Sequence, residues 1–167
     1  MIRYLEKQNL LILETERTSY WIGLAYPAPV CLHWGRKIAP EDADMFEPLG
    51  GHSSFDTELW RERMEYPAFD GRTFENVSLK ADVPLNLRTK GVRVQGQQAE
   101  ITLADEANVM EVCLMYRVFE DCDVIEKHAR LTANAPVRLT RVDSGACLLP
   151  HEAKPWTAHY VVGAWAG

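Results

Sequence analysis

Runs rich in Val, Ile, Leu, Thr, Tyr and Trp recur every ten or so residues along this chain, separated by turn formers, and helical periodicity is nearly absent. That rhythm restricts the fold to a sandwich or barrel of short strands. The clearest case is Met110–Phe119, where Met110, Val112, Leu114, Tyr116 and Val118 share one face while Glu111 and Arg117 take the other. Turn chemistry brackets it, Asp105-Glu106-Ala107-Asn108 before and Glu120-Asp121-Cys122-Asp123 after. The segment therefore pairs with Val124–Ala133 as an antiparallel hairpin. Asn134-Ala135-Pro136 then turns into Val137–Leu148 as a third meander strand, with Gly145 inviting a bulge or bend.

The remaining expected strands are Leu10–Thr15, Ser19–Leu24, Val30–Trp34, Glu75–Asp82, Leu85–Thr89, a short Arg93–Val94, Ala99–Leu103 and Ala158–Val162. The fold class is all-β, a large antiparallel β-sandwich with one long irregular loop. That loop runs from Ala39 to Gly71, punctuated by Pro40, Pro48, Gly50, Gly51, Pro67 and Gly71. Within it, Asp56–Arg63 has the pattern of a short helix, with Asp56 or Thr57 as N-cap. So long an insertion in a compact domain is more often functional or contact-forming than idle.

At 167 residues the chain buries enough surface to fold as one domain without staples. A net charge of −6 argues against a basic nucleic-acid footprint. The N-terminus has no apolar core of a signal peptide, and no run approaches the ~18 apolar residues of a membrane span. Neither membrane nor nucleic acid is an expected partner, and the expected location is cytoplasmic. Cys31, Cys113, Cys122 and Cys147 show no CxxC spacing and read as free buried thiols.

No catalytic constellation stands out. His33, His52, His128, His151 and His159 lack metal-ligand spacing, so no metal is expected. Ser144 lies inside an expected strand and not in a GxSxG elbow. Without a P-loop or GxGxxG, no nucleotide cofactor is expected. Glycoside hydrolysis needs two carboxyl groups across the scissile bond. The acidic residues Glu41, Asp42, Asp44, Glu47, Asp56, Glu58, Glu62, Glu65 and Asp70 are many, but read together as a solvated face. Trp21 and Trp34 read as core residues of strands. Phe46, Phe55 and Trp60 fall in the irregular loop, which must bury them against its own sandwich, another domain or another subunit.

Three stretches carry a resemblance. They are Ser19-Tyr20 with Leu32-His33-Trp34-Gly35-Arg36-Lys37-Ile38; then Phe55-Asp56-Thr57 with Glu65-Tyr66-Pro67-Ala68-Phe69-Asp70-Gly71 and Phe74-Glu75; and Leu103–Glu106, Val109–Phe119 and Asp123-Val124-Ile125 with the terminal Gly163-Ala164-Trp165-Ala166. Together they resemble the N-terminal domain of glycoside hydrolase family 36 α-galactosidases. The resemblance implies a single sandwich over residues 1–167, N-terminal to a catalytic (β/α)8 barrel absent from this chain, with Gly163-Ala164-Trp165 at the junction. In that family the barrel carries two catalytic aspartates for retaining hydrolysis of terminal α-galactosides such as melibiose and raffinose. Neither motif occurs here, so no catalytic residue is assigned.

The resemblance also implies a homo-oligomer and a loop, here Asp42–Asp56, that reaches the rim of a sugar pocket. Leu49-Gly50-Gly51 stands where the family often has an aspartate, which leaves Glu47 or Asp56 as the acidic rim residue, beside Phe55 and Trp60. Thr73-Phe74-Glu75 likewise lacks the family's Phe-Arg-x-Pro ending. Two other readings stay open: a free-standing carbohydrate-binding sandwich, and a purely structural interaction module.

Overall fold

Four apolar residues in a row, Leu10-Leu11-Ile12-Leu13, cannot belong to a strand with one wet face. In the computed structural model, which describes residues 1–41, 46, 59–73, 76–149 and 157, they lie in a sheet covered on both sides. That sheet runs β1 (Ile2–Leu5), β2 (Leu10–Glu14), β3 (Thr18–Gly23) and β4 (Val30–Arg36), each antiparallel to its neighbour. Ile2, Leu11, Leu13, Tyr20, Ile22 and Cys31 face the main core. Leu10, Ile12, Trp21, Val30 and Leu32 face a second core on the opposite side.

The other large sheet runs β6 (Leu87–Gln95), β7 (Gln98–Asp105), β8 (Met110–Phe119) and β9 (Val124–Ala133), again in sequence order and antiparallel. Ala99, Ile101 and Leu103 of β7 and Val112, Leu114, Tyr116 and Val118 of β8 pack onto the main core. The two sheets thus form a sandwich with one shared interior. A two-stranded ribbon, β5 (Leu79–Ala81) with β10 (Leu139–Val142), lies beside it and contributes Leu79 and Ala81 to that interior.

The hairpin β8–β9 has the bounds expected from the alternation, and β8 buries the predicted face. Other expectations change. Leu85–Thr89 and Arg93–Val94 merge into the single strand β6, which absorbs Lys90 as an extra residue between Thr89 and Gly91 in its pairing with β7. Glu75–Asp82 shortens to β5, and Val137–Leu148 to β10.

Strand β10 does not extend the meander beside β9. Asp82 draws it to β5, donating its N–H to the Arg138 carbonyl (3.0 Å) and accepting the Arg138 N–H on Oδ1 (3.1 Å). The edge left at β9 carries Glu126, Lys127, His128 and Arg130, a charged edge of the kind that discourages further pairing. Strand β1 has no counterpart among the expected strands. The described helical turns are 3-10, at Glu6–Gln8, Leu59–Arg63 and Glu120–Cys122. The first of them ends on Asn9 and the third on Asp123, both left-handed.

Most of the irregular stretch, and the expected strand Ala158–Val162, fall outside the described residues. The described parts of the stretch close the second core. Phe46 stands against Trp21 (5.9 Å between ring centroids) and His33 (5.1 Å), and Trp60 stacks on Tyr26 (6.3 Å). Arg63 donates to the Phe46 carbonyl (3.0 Å). Trp21 is fully buried there, and Trp34 packs at the margin of the main core, edge-on to Tyr20 at 6.3 Å.

Candidate functional site

The last part of the irregular stretch, the crossing segment of residues 59–66, returns to the sandwich through Met64, which bridges to Val30, and the Glu65 N–H, which donates to the Pro29 carbonyl (2.9 Å). This turns Glu65 inward, where only 2% of the residue is exposed. A buried carboxylate is costly unless paired and hydrogen-bonded. Three donors meet it, one from the first sheet and two from the second. The Tyr20 hydroxyl of β3 donates to Oε1 at 2.5 Å, the Tyr116 hydroxyl of β8 to Oε2 at 2.8 Å, and Lys127 Nζ of β9 to Oε2 at 3.2 Å.

Lys127 is the cross-strand partner of Tyr116 and points inward from its edge strand. Its ammonium also donates to the Tyr20 hydroxyl oxygen (3.3 Å) and stands 5.4 Å from the Tyr20 ring centroid. Burial, reinforced by the Glu65 charge, pushes both tyrosines far above the ordinary phenol range. The same causes raise the Cys31 thiol to about 12. The cluster therefore keeps its phenols and thiol protonated, and the carboxylate's contacts are all structural. Its chemistry is to hold two sheets and a returning segment together.

The segment is fastened again on either side of Glu65. Burial works to raise the Asp70 carboxyl, but the N–H groups of Thr73 (2.8 Å) and Arg72 (2.9 Å) and the Arg61 guanidinium (2.5 Å) hold it below the ordinary carboxylate range. The Pro67 carbonyl accepts from Ser78 and Leu79, and Tyr66 donates to the Asp143 carbonyl (2.9 Å). The acidic residues of the loop are thus not uniformly a solvated face. Asp70 is held by groups two, three and nine positions away, whereas the partners of Glu65 lie far off in sequence.

Of the proposed rim residues, Trp60 is half-buried, stacked on Tyr26 with Arg61 4.8 Å from its ring centroid. Glu47, Phe55 and Asp56 lie outside the described residues. Tyr26 also lines an open depression of about 530 Å³, together with Tyr4, Asn9, Arg88, Lys90 and Val92. Cys31 and Cys113 are buried, but Cys122 and Cys147 are exposed, correcting the expectation of four buried thiols. Cys122 lies in the turn between β8 and β9, and Cys147 follows the point where β10 ends.

Among the described residues no three His, Cys, Asp or Glu side chains converge as a metal site, and no helix is long and apolar enough to cross a membrane. What the geometry defines is a β-sandwich domain whose best-organised polar cluster is a structural clasp. The family model for the glycosyl hydrolase family 36 N-terminal domain matches residues 27–167, and the chain belongs to that family.

Solved structures agree on the fold. The chain is similar to the galactosidase domain of the α-galactosidase–sucrose kinase AgaSK, with TM-score 0.73 and 21% identity over 87% of this chain and 25% of that one. It is similar to the family 36 α-galactosidase AgaB from Geobacillus stearothermophilus, with TM-score 0.69 and 20% identity over 87% and 24%. The α-galactosidase from Lactobacillus brevis gives TM-score 0.69 and 16% identity over 86% and 24%. The chain thus spans about a quarter of the length of these structures. No curated protein matches it by sequence.

Proposed function

We propose that this chain works as the N-terminal accessory domain of an α-galactosidase, preceding a catalytic (β/α)8 barrel in the same polypeptide. The observation that carries the reading is the family match over residues 27–167 on a sandwich of the same fold. In this reading the whole enzyme performs retaining hydrolysis of terminal α-galactosides such as melibiose and raffinose. The sandwich contributes to homo-oligomerisation and to the rim of the sugar pocket. Glu47, Asp56 and Phe55 are the proposed rim contacts together with Trp60, which is braced by Tyr26. The four free cysteines support a cytoplasmic location.

Two experiments test this reading. The purified 167-residue chain is expected to leave a nitrophenyl α-galactoside intact, and turnover that survives rigorous purification overturns the accessory role. The reading frame beyond Gly167 is expected to continue in strand–helix alternation with acidic residues at strand ends, and its failure to do so also counts against the role.

A second reading, a sugar-binding module in its own right, draws on the depression beside Tyr4 and Tyr26. Aromatic rings there stand next to the hydrogen-bonding side chains of Asn9, Arg88 and Lys90. Calorimetry with galactose separates the two: affinity of about millimolar or better that Tyr26→Ala removes favours the module.

A further inference from the structure

The Glu65 cluster also stands beside the segment that follows β10. Beyond β10, Asp143 donates its N–H to the Ser78 carbonyl (2.8 Å), and its own carbonyl accepts from the Tyr66 hydroxyl (2.9 Å). Two residues on, Gly145 lies against the Lys127 stem. A Cβ at that position would stand 3.3 Å from Lys127 Cε and 3.6 Å from Cγ, so a side chain there makes the lysine stem give by a few tenths of an ångström, and a branched one by more. Leu148 then packs at the margin of the main core. Lys127 thus bonds Glu65 and Tyr20 through its ammonium while its stem runs beside Gly145, the position of the second segment.

We propose that Glu65 and Lys127 are positioning residues, whose ion pair fastens the foot of the crossing segment (residues 59–66) and the segment after β10 (residues 143–149) to one point of the sandwich. The two segments then hold a fixed relation to each other. Its functional meaning rests on the accessory-domain reading, where one segment supports the pocket rim and the other leads toward the barrel. The coupling itself does not depend on that reading. Because coupling between two sites is reciprocal, a perturbation entering from either segment is felt in the other.

Amide hydrogen exchange of the 167-residue chain, followed by mass spectrometry, reads this directly. Glu65→Gln removes the charge that holds Lys127. It is expected to speed exchange about tenfold in both 59–66 and 143–149 while β7 and β8 keep their protection. Gly145→Val enters from the other side and is expected to speed exchange in 59–66, a segment it does not belong to. Leu114→Ala, a core control that leaves both partners of the ion pair in place, is expected to speed exchange across β7 and β8 as well.

Acceleration confined to the mutated segment, or spread evenly over all strands in Glu65→Gln, overturns the proposal. Should Glu65→Gln fail to fold, Lys127→Met and Gly145→Val carry the same comparison. Turnover by the purified chain, or a reading frame that does not continue in strand–helix alternation, would sink the accessory-domain role and leave this result standing.

Discussion

At the scale of single residues, the two carboxylate oxygens of Glu65 gather donors from three different strands. Each phenol that serves them is a hydrogen bond to a buried charge, worth more than a neutral one. Tyr116→Phe is therefore expected to lower unfolding free energy by about 1.5–3 kcal/mol, read from the urea midpoint at unchanged slope.

The cluster also sets a pH response. Burial first, and then the Glu65 charge, raise the Cys31 thiol from 9.0 to about 12, so the folded state holds its proton more tightly than the unfolded chain. Stability from this group is complete below pH 9 and is lost as pH rises toward 12. Cys31→Ala is expected to flatten that part of the alkaline unfolding curve relative to the unsubstituted chain. With a thiol-specific chromogenic disulfide at neutral pH, Cys122 and Cys147 are expected to react quickly, and Cys31 and Cys113 only on unfolding.

Little of this was legible beforehand. The stretch Glu65-Tyr66-Pro67-Ala68-Phe69-Asp70-Gly71 stands out as a family signature, but nothing local says that Glu65 turns inward. Its partners stand 45, 51 and 62 positions away in sequence, and only the sandwich brings them within reach.

At the scale of elements, alternation was the reliable guide wherever one face is buried and the other wet. Strand β8 shows it: Leu114 faces the main core and Glu111 faces solvent. Leu114→Ala is expected to cost about 2–5 kcal/mol and Glu111→Ala to stay within about 0.5 kcal/mol, both measured by chemical denaturation. Alternation fails where pairing depends on more distant contacts. Strand β10 is short because Asp82 holds its start to β5, and β6 is long because a bulge at Lys90 lets one strand span what reads as two.

The segment Leu59–Arg63 is a further case. The buried Arg61–Asp70 pair and the Trp60–Tyr26 stack hold it, not its own helical propensity. Asp70→Asn keeps the shape but loses the charge, and is expected to loosen the Trp60 stack, seen as a red-shifted tryptophan emission and weaker near-ultraviolet dichroism.

At the scale of the whole molecule, two sheets enclose one core, and the crossing segment encloses a second on the far side of the first sheet. The proposed accessory role adds a partner that this chain does not contain. Sedimentation of the 167-residue chain is expected to show self-association that galactose leaves unchanged, and a strictly monomeric chain would remove oligomerisation from the role.

The sequence by itself determined the all-β class, the β8–β9 hairpin and the family, because period-two patterning and short signatures are local properties of a chain. The tertiary structure decided which carboxylate is buried, where β10 pairs and what covers the first sheet's second face. Those outcomes depend on contacts between residues far apart in sequence, whose free energy exists only once the two sheets have closed on each other.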